Sequence, residues 1–195
     1  MKKKPLVFLV CMLFITTVLP ITSMAGDEDH PEIPDVLGDV KGLFAKFLSR
    51  RSIERIDINS TWFYEVPDDP ENLRIVGKLN KVTHGLFFKS SYSVYWTYNG
   101  RQYTATFITR WYNIDGYVTD DESGESHMIV PLYDGDSDIF GFIIQKDLIG
   151  NPTQGDTLTN TWSIAKIGFG SKVIFSLAYD RAPDNGYGLD YIIQY

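Results

Sequence analysis

Asp134-Gly135-Asp136-Ser137-Asp138 sets three carboxylates at alternate positions around a glycine. That is the oxygen-rich spacing a hard cation such as calcium takes, with about six to eight oxygen ligands in all. The same five residues suit a solvated turn between two strands, because Asp, Gly and Ser are turn formers. No glutamate stands where an EF-hand would need one. A structural calcium at Asp134, Asp136 and Asp138 is one expectation, and a plain turn is the other. A second acidic set joins distant parts of the chain: Asp35 and Asp39 would meet Asp180 and Asp184 if the two ends of the domain lie together.

Aromatic residues supply the other candidate chemistry, since a ring face can stack on a sugar. Trp96 and Trp162 lie in alternating segments, where burial between two sheets is the expected role. Tyr95 instead shares a face with Thr and Gln residues, so it could serve as a ligand platform or as cross-strand packing. Trp111 and Tyr112, followed by Asn113 and Asp115, complete the candidate ligand-binding set. Enzyme signatures are missing from the sequence. No G-x-S-x-G elbow is present, and His30, His84 and His127 lack metal-ligand spacing. The reading is therefore of a protein that is not an enzyme and has no catalytic residue to name. Axial haem ligands would have to come from Met128 with His84 or His127. Asn59-Ser60-Thr61 satisfies the N-glycosylation sequon.

The elements that would position these groups read as β-structure. Asn99-Gly100 is the preferred pair for a two-residue type I′ hairpin loop. With that loop, Tyr98, Trp96, Val94 and Tyr92 face Arg101, Tyr103, Ala105 and Phe107 on one side. Thr97, Tyr95 and Ser93 face Gln102, Thr104 and Thr106 on the other. A one-residue slip would mix the two faces. Ile56 to Glu65 alternates in the same way, and Pro67-Asp68-Asp69-Pro70 turns it towards a second strand at Leu73 to Leu79. Further strands are expected over Met128–Tyr133, Ile139–Gln145, Thr161–Ile167, Lys172–Tyr179 and Tyr191–Gln194. Val40, Leu43, Phe44, Phe47 and Leu48 fall at helical spacing behind Asp39, which predicts a short amphipathic helix. The fold class is all-β: an antiparallel β-sandwich of about eight or nine strands with one short N-terminal helix, a single β-barrel being second choice.

Lys2, Lys3 and Lys4 precede an apolar run of 14 residues, Leu6 to Leu19, followed by Pro20 and Ser23-Met24-Ala25. This pattern predicts a secretory signal peptide over residues 1–25, cut after Ala25, and a secreted protein. The run is shorter than the roughly 20 residues of a spanning helix, and no second one follows, so the mature chain should carry no transmembrane segment. Removing it takes three lysines and no acids from 18 basic and 25 acidic residues, leaving a net charge of −10. Nucleic acid is excluded as a partner, because a phosphate backbone needs a basic patch. Residues 26–38 read as an extended acidic leader and 39–195 as a single domain, large enough to fold without staples. Cys11 is the sole cysteine and would leave with the signal peptide, so disulfides play no part.

The order of turns also resembles a known group. Asp35-Val-Leu-Gly38-Asp39 stands ahead of the strand start Asp57-Ile58, an acidic turn leads to Leu73, and Ile149-Gly150-Asn151-Pro152 leads to Gly155-Asp156. This layout, over Asp35 to Tyr195, resembles exported β-sandwich domains of the DOMON and family 9 carbohydrate-binding-module type, especially small stand-alone archaeal secreted versions. The resemblance implies a noncatalytic sandwich that binds a sugar or, in some relatives, haem. Carbohydrate or another component of the cell envelope is the partner it implies, and a structural or adhesion role towards another envelope protein is the alternative. Val40 to Ser52 looks like an insertion relative to that layout.

Overall fold

The structure, a computed structural model, describes residues 29–81, 88–110, 113–170, 173 and 175–195. The expected signal peptide lies outside the described residues, as do His84, Trp111 and Tyr112. Twelve strands occur among the described residues: β1 (Ile33–Pro34), β2 (Ile58–Val66), β3 (Asp69–Leu79), β4 (Lys89–Tyr98), β5 (Arg101–Arg110), β6 (Asn113–Asp120), β7 (Ser126–Met128), β8 (Val130–Asp134), β9 (Ile139–Gln145), β10 (Thr157–Phe169), β11 (Phe175–Ala182) and β12 (Tyr191–Ile192). One sheet runs β1-β2-β3-β9-β8 and the other β11-β10-β4-β5-β6-β7, with β12 pairing on β10. Every pairing of these strands is antiparallel, and the two sheets form a sandwich. Among the described residues no helix is long and apolar enough to cross a membrane.

The β4–β5 hairpin sets the register of the second sheet. Asn99 and Gly100 both have positive φ, 49° and 78°, as a type I′ loop requires. The pairs run from Tyr98↔Arg101 through Trp96↔Tyr103 and Val94↔Ala105 to Tyr92↔Phe107, as the alternation predicts. Trp96, Val94, Ala105 and Phe107 are fully buried. From the opposite sheet, Phe63 meets Trp96 edge-on at 6.2 Å, and Phe140 stacks on Tyr92 at 4.9 Å. Each such pair adds roughly 0.5–1.5 kcal/mol to the gain from burial alone.

Three departures from the sequence reading have physical causes. The helix predicted over Val40–Leu48 is replaced by a 3-10 turn at Ala45–Phe47 and a short helix α1 (Arg50–Glu54), capped by Ser49. The backbone N–H groups of Lys41 and Phe44 donate to Tyr179 and Leu177 of β11 instead, so this segment shields a sheet edge. Gly42, at φ 133°, lies against the backbone of Leu177 and Ala178, where a Cβ would collide. The second departure is β6, absent from the sequence reading because Gly116 and Asp115 interrupt its alternation. Gly116 pairs with Phe107, and an added Cβ would come within 3.1 Å of the Ile129 carbonyl oxygen. Third, the single strand expected over Met128–Tyr133 is split at Ile129, with β7 in one sheet and β8 in the other. Pro131, which has no N–H to donate, sits in the edge strand β8.

The described part of the expected leader enters the fold at Glu32, whose carboxylate accepts from the Phe63 N–H at 2.9 Å. β1 then pairs on β2, and the Asp35 N–H donates to the Asn59 carbonyl at 3.0 Å. This attachment carries the following loop, Asp35 to Asp39, to the open side of the sandwich, where β1 and β11 are the outermost strands of their sheets.

Candidate functional site

Five aspartates from four parts of the chain converge at that seam. Asp35 and Asp39 come from the loop after β1, Asp57 from the residue before β2, Asp180 from β11 and Asp184 from the turn that follows. Carboxylate oxygens of Asp35, Asp39 and Asp184 lie within 4.8 Å of one another, and so do those of Asp39, Asp57 and Asp180. Asp39 belongs to both groups. Gly38, at φ 93°, lets the loop turn back so that its N–H donates to Asp57 Oδ1 at 2.8 Å. Asn80 Nδ2 donates to Asp57 Oδ2 at 2.8 Å, and the Ile58 N–H to Asp180 Oδ2 at 2.7 Å. Asp180 follows the alternation of β11, which aims residues 178, 180 and 182 inward. Asp57 and Asp180 are each only 1% exposed.

These bonds leave several oxygens without a donor. Asp35 Oδ2, both oxygens of Asp39 and Asp180 Oδ1 are buried and accept no hydrogen bond. Buried carboxylates of this kind are costly unless protonated, paired or bound to a cation. Desolvation, with Asp39 and Asp184 adding repulsion, pushes Asp35 up to about 7. Asp180 also rises to about 7, through desolvation and the charges of Asp39, Asp35 and Asp57. Asp39 shifts upward for the same first reason. Asp184 moves the other way, held down by its ion pair with Lys41 at the rim. The arrangement can bind a proton or a hard cation. Four of these aspartates are joined by the expectation that the ends of the domain meet; Asp57, an acid at a strand start, is not among them.

The other acidic candidate does not converge. Asp134 Oδ1 accepts from the Asp136 N–H at 2.9 Å and Oδ2 from Ser137 Oγ at 2.6 Å, which closes the β8–β9 turn. Asp138 takes φ 56° on the far side of that turn. Among the described residues, Asp134, Asp136 and Asp138 do not form a three-carboxylate group of the kind found at the seam. The Ser137 hydroxyl holds the Asp134 carboxyl below its usual range.

Tyr95 lies on the outer face of the second sheet, and its ring stacks on Trp162 at 3.8 Å with the planes 3° apart. Trp162 is thus on the outer face too, not between the sheets. Arg181 covers it at 4.8 Å and is itself held by the carbonyls of Pro183 and Gly186. Trp162 is thus engaged by both Tyr95 and Arg181. His127 and Met128 are adjacent in β7, so their side chains leave opposite faces and cannot ligate one haem together.

A solvent-open cleft of about 460 Å³ lies where the β9–β10 connection crosses the β2–β3 turn. Its walls carry Glu71, Gln145, Asp147, Asn151, Gln154 and Tyr195. The floor is fixed by a buried ion pair, Lys146 with Glu65. Glu65 also accepts from the Gln194 N–H at 2.6 Å and from the Tyr191 hydroxyl at 3.2 Å, while Lys146 donates to the Tyr195 carbonyl. Beyond the lining residue Thr153, Asp156 accepts from the Thr153 N–H at 2.7 Å and from the Tyr98 hydroxyl at 2.8 Å, tying the loop to the hairpin tip. The sequence reading had marked the 149–156 turns but not these amide side chains. Asp147 also borders a smaller cleft of about 340 Å³ lined by Arg101, Asp120, Glu125 and His127. Neither cleft is lined by an aspartate of the seam.

No family model, no curated protein and no solved structure matches this chain. The resemblance to DOMON and family 9 carbohydrate-binding domains therefore rests on the layout of turns alone.

Proposed function

We propose that the protein is a secreted, noncatalytic binding module whose ligand is a carbohydrate or cell-surface glycan, held in the cleft beside the β9–β10 connection. The observation that carries this reading is the lining of that cleft. Amides and carboxylates there offer donors and acceptors in both senses, and the exposed Tyr195 is an aromatic residue among those that line it. Sugar hydroxyls need bidirectional hydrogen bonding, and sugar C–H faces need an aromatic surface. The volume suits one or two sugar rings. The floor is rigid because the Lys146–Glu65 pair is buried and bonded on several sides, so little ordering is left for the ligand to supply.

Binding of the chain to an array of glycans and envelope polysaccharides, followed by calorimetry on the best binder, tests this. Tyr195→Ala and Gln154→Ala are each expected to weaken binding about tenfold or more, on the scale of a lost stacking or hydrogen-bond contact. Binding that survives both changes, or no binding to any glycan, overturns it.

A second reading has its own observation. Leu43 and Phe47 are 91% and 83% exposed, and Phe44 is bonded through its backbone to β11, so apolar side chains project beside a sheet edge. That surface fits a protein partner in the cell envelope. A Leu43→Ser, Phe47→Ser double variant that still binds glycan but no longer assembles with an envelope protein would separate the two roles.

A further inference from the structure

We propose that the seam between the two sheets is a calcium site centred on Asp39, with ligands from Asp35, Asp57, Asp180 and Asp184, and that the ion clips the outermost strand of one sheet to that of the other. The convergence of carboxylates is one observation. An independent one is Asp180: its side chain is almost wholly buried, its Oδ2 is fixed by the Ile58 N–H, and its Oδ1 is left without a donor in a carboxylate that faces Asp39 and Asp57. A buried acceptor held this rigidly calls for a cation or an ordered donor.

The donor set selects the ion. Every candidate ligand is a carboxylate oxygen, with neither histidine nor cysteine among them, which disfavours zinc and copper and suits a hard cation. The available oxygens come from five side chains on four segments, so the coordination shell can be large and irregular. Calcium accepts such a shell, whereas magnesium demands a small, near-octahedral one and keeps its waters. Charge points the same way. Lys41 pairs with Asp184 at the rim, while Asp35 Oδ2, both oxygens of Asp39 and Asp180 Oδ1 accept no hydrogen bond. A divalent ion would remove most of that excess.

The ligands also show what the ion would do. Asp35 and Asp39 follow β1, Asp57 precedes β2, and Asp180 and Asp184 belong to β11 and its exit. Bound calcium would tie both layers at the side where the Ile58 N–H bond to Asp180 and the Lys41 bridge to Tyr179 also join them. The site is separate from the proposed glycan cleft, so either can fail without the other.

The test is calorimetric titration of the EDTA-stripped chain with CaCl2, with MgCl2 as comparator, alongside thermal melting in calcium and in chelator. The expected result is binding of one ion, or of two bridged by Asp39, at least about tenfold tighter for calcium than for magnesium, with a higher Tm in calcium. Asp39→Asn should weaken calcium binding by about 100-fold or more and cancel the Tm gain. In chelator the same variant should melt above the wild type, because it removes a repelled charge, an outcome that loss of a merely structural residue would not give. Asp184→Asn, at the exposed rim, serves if Asp39→Asn does not fold, and should weaken calcium binding about tenfold. No heat and no change in Tm at about 10 mM CaCl2, or full calcium affinity in Asp39→Asn, overturns the proposal.

Discussion

The β4–β5 hairpin and the aspartate seam lie in one sandwich and follow opposite rules. In the hairpin, loop chemistry, alternation and core packing agree: Asn99-Gly100 sets the turn, the turn sets the register, and the register buries Trp96 and Phe107 together. Such agreement between levels specifies a single arrangement. At the seam, segments far apart in sequence bring like charges into a place with little water. Local propensity gives no reason for Asp35, Asp57 and Asp180 to meet. The hairpin is stable because of its sequence, whereas the seam needs something from outside, a proton or an ion. Regions that break local rules in this way are where function is expected.

The largest effect should come from the self-consistent region. Trp96→Ala removes a fully buried ring between the sheets and should cost about 3–5 kcal/mol, read as a lower denaturation midpoint that is equally low in calcium and in chelator. A calcium-dependent loss would mean that hairpin and seam are not independent. Next in size is a pH dependence confined to the seam. Asp35 and Asp180 have folded values raised from 3.8 to about 7, so the ion-free protein binds more protons than its unfolded chain between those limits. Stability in chelator should therefore fall as pH rises from about 4 to about 7.5, by on the order of 2 kcal/mol after allowance for solvent screening. Denaturant melts across that range would show it, and a flat or rising profile would contradict the described electrostatics. Calcium should flatten the slope.

Gly100→Ala tests the hairpin loop at its positive φ of 78° and should cost about 1 kcal/mol without shifting the register. The smallest effect is expected for Asp134→Ala. It should cost less than about 1 kcal/mol, for one exposed turn, and leave calcium binding unchanged. Loss of calcium affinity in that variant would place the ion in the β8–β9 loop and undo the contrast drawn between the two acidic regions.

What could be read from the sequence follows the same division. The hairpin register was legible pair by pair because a two-residue loop and period-two alternation are local signals. The sandwich followed from many short alternating runs. β6 was hidden because Gly116 is chosen to make room for Ile129 and Pro131, a requirement of neighbours that are not adjacent in sequence. The segment Val40–Leu48 reads as a helix by spacing alone, but its backbone donors at Lys41 and Phe44 go to the edge of β11. At the seam, four of the five aspartates could be brought together by supposing that the ends meet. Asp57 could not, since nothing in the sequence distinguishes an acid at a strand start from one buried against a second sheet. The cleft proposed to hold a glycan was illegible for a similar reason, its walls coming from turns that only the sandwich brings side by side.

The outermost strands carry one more implication. In the first sheet, β1 is two residues long and β8 contains Pro131; in the second, β7 is three residues long and β11 is shielded along part of its length by Lys41 to Phe44. None of the four offers a long, flat row of free backbone groups, which is the template on which chains add to one another as fibrils. A concentrated suspension of this protein should therefore resist growth by strand addition although no disulfide holds its described part. Its associations are left to side-chain surfaces, whose specificity can be altered one residue at a time.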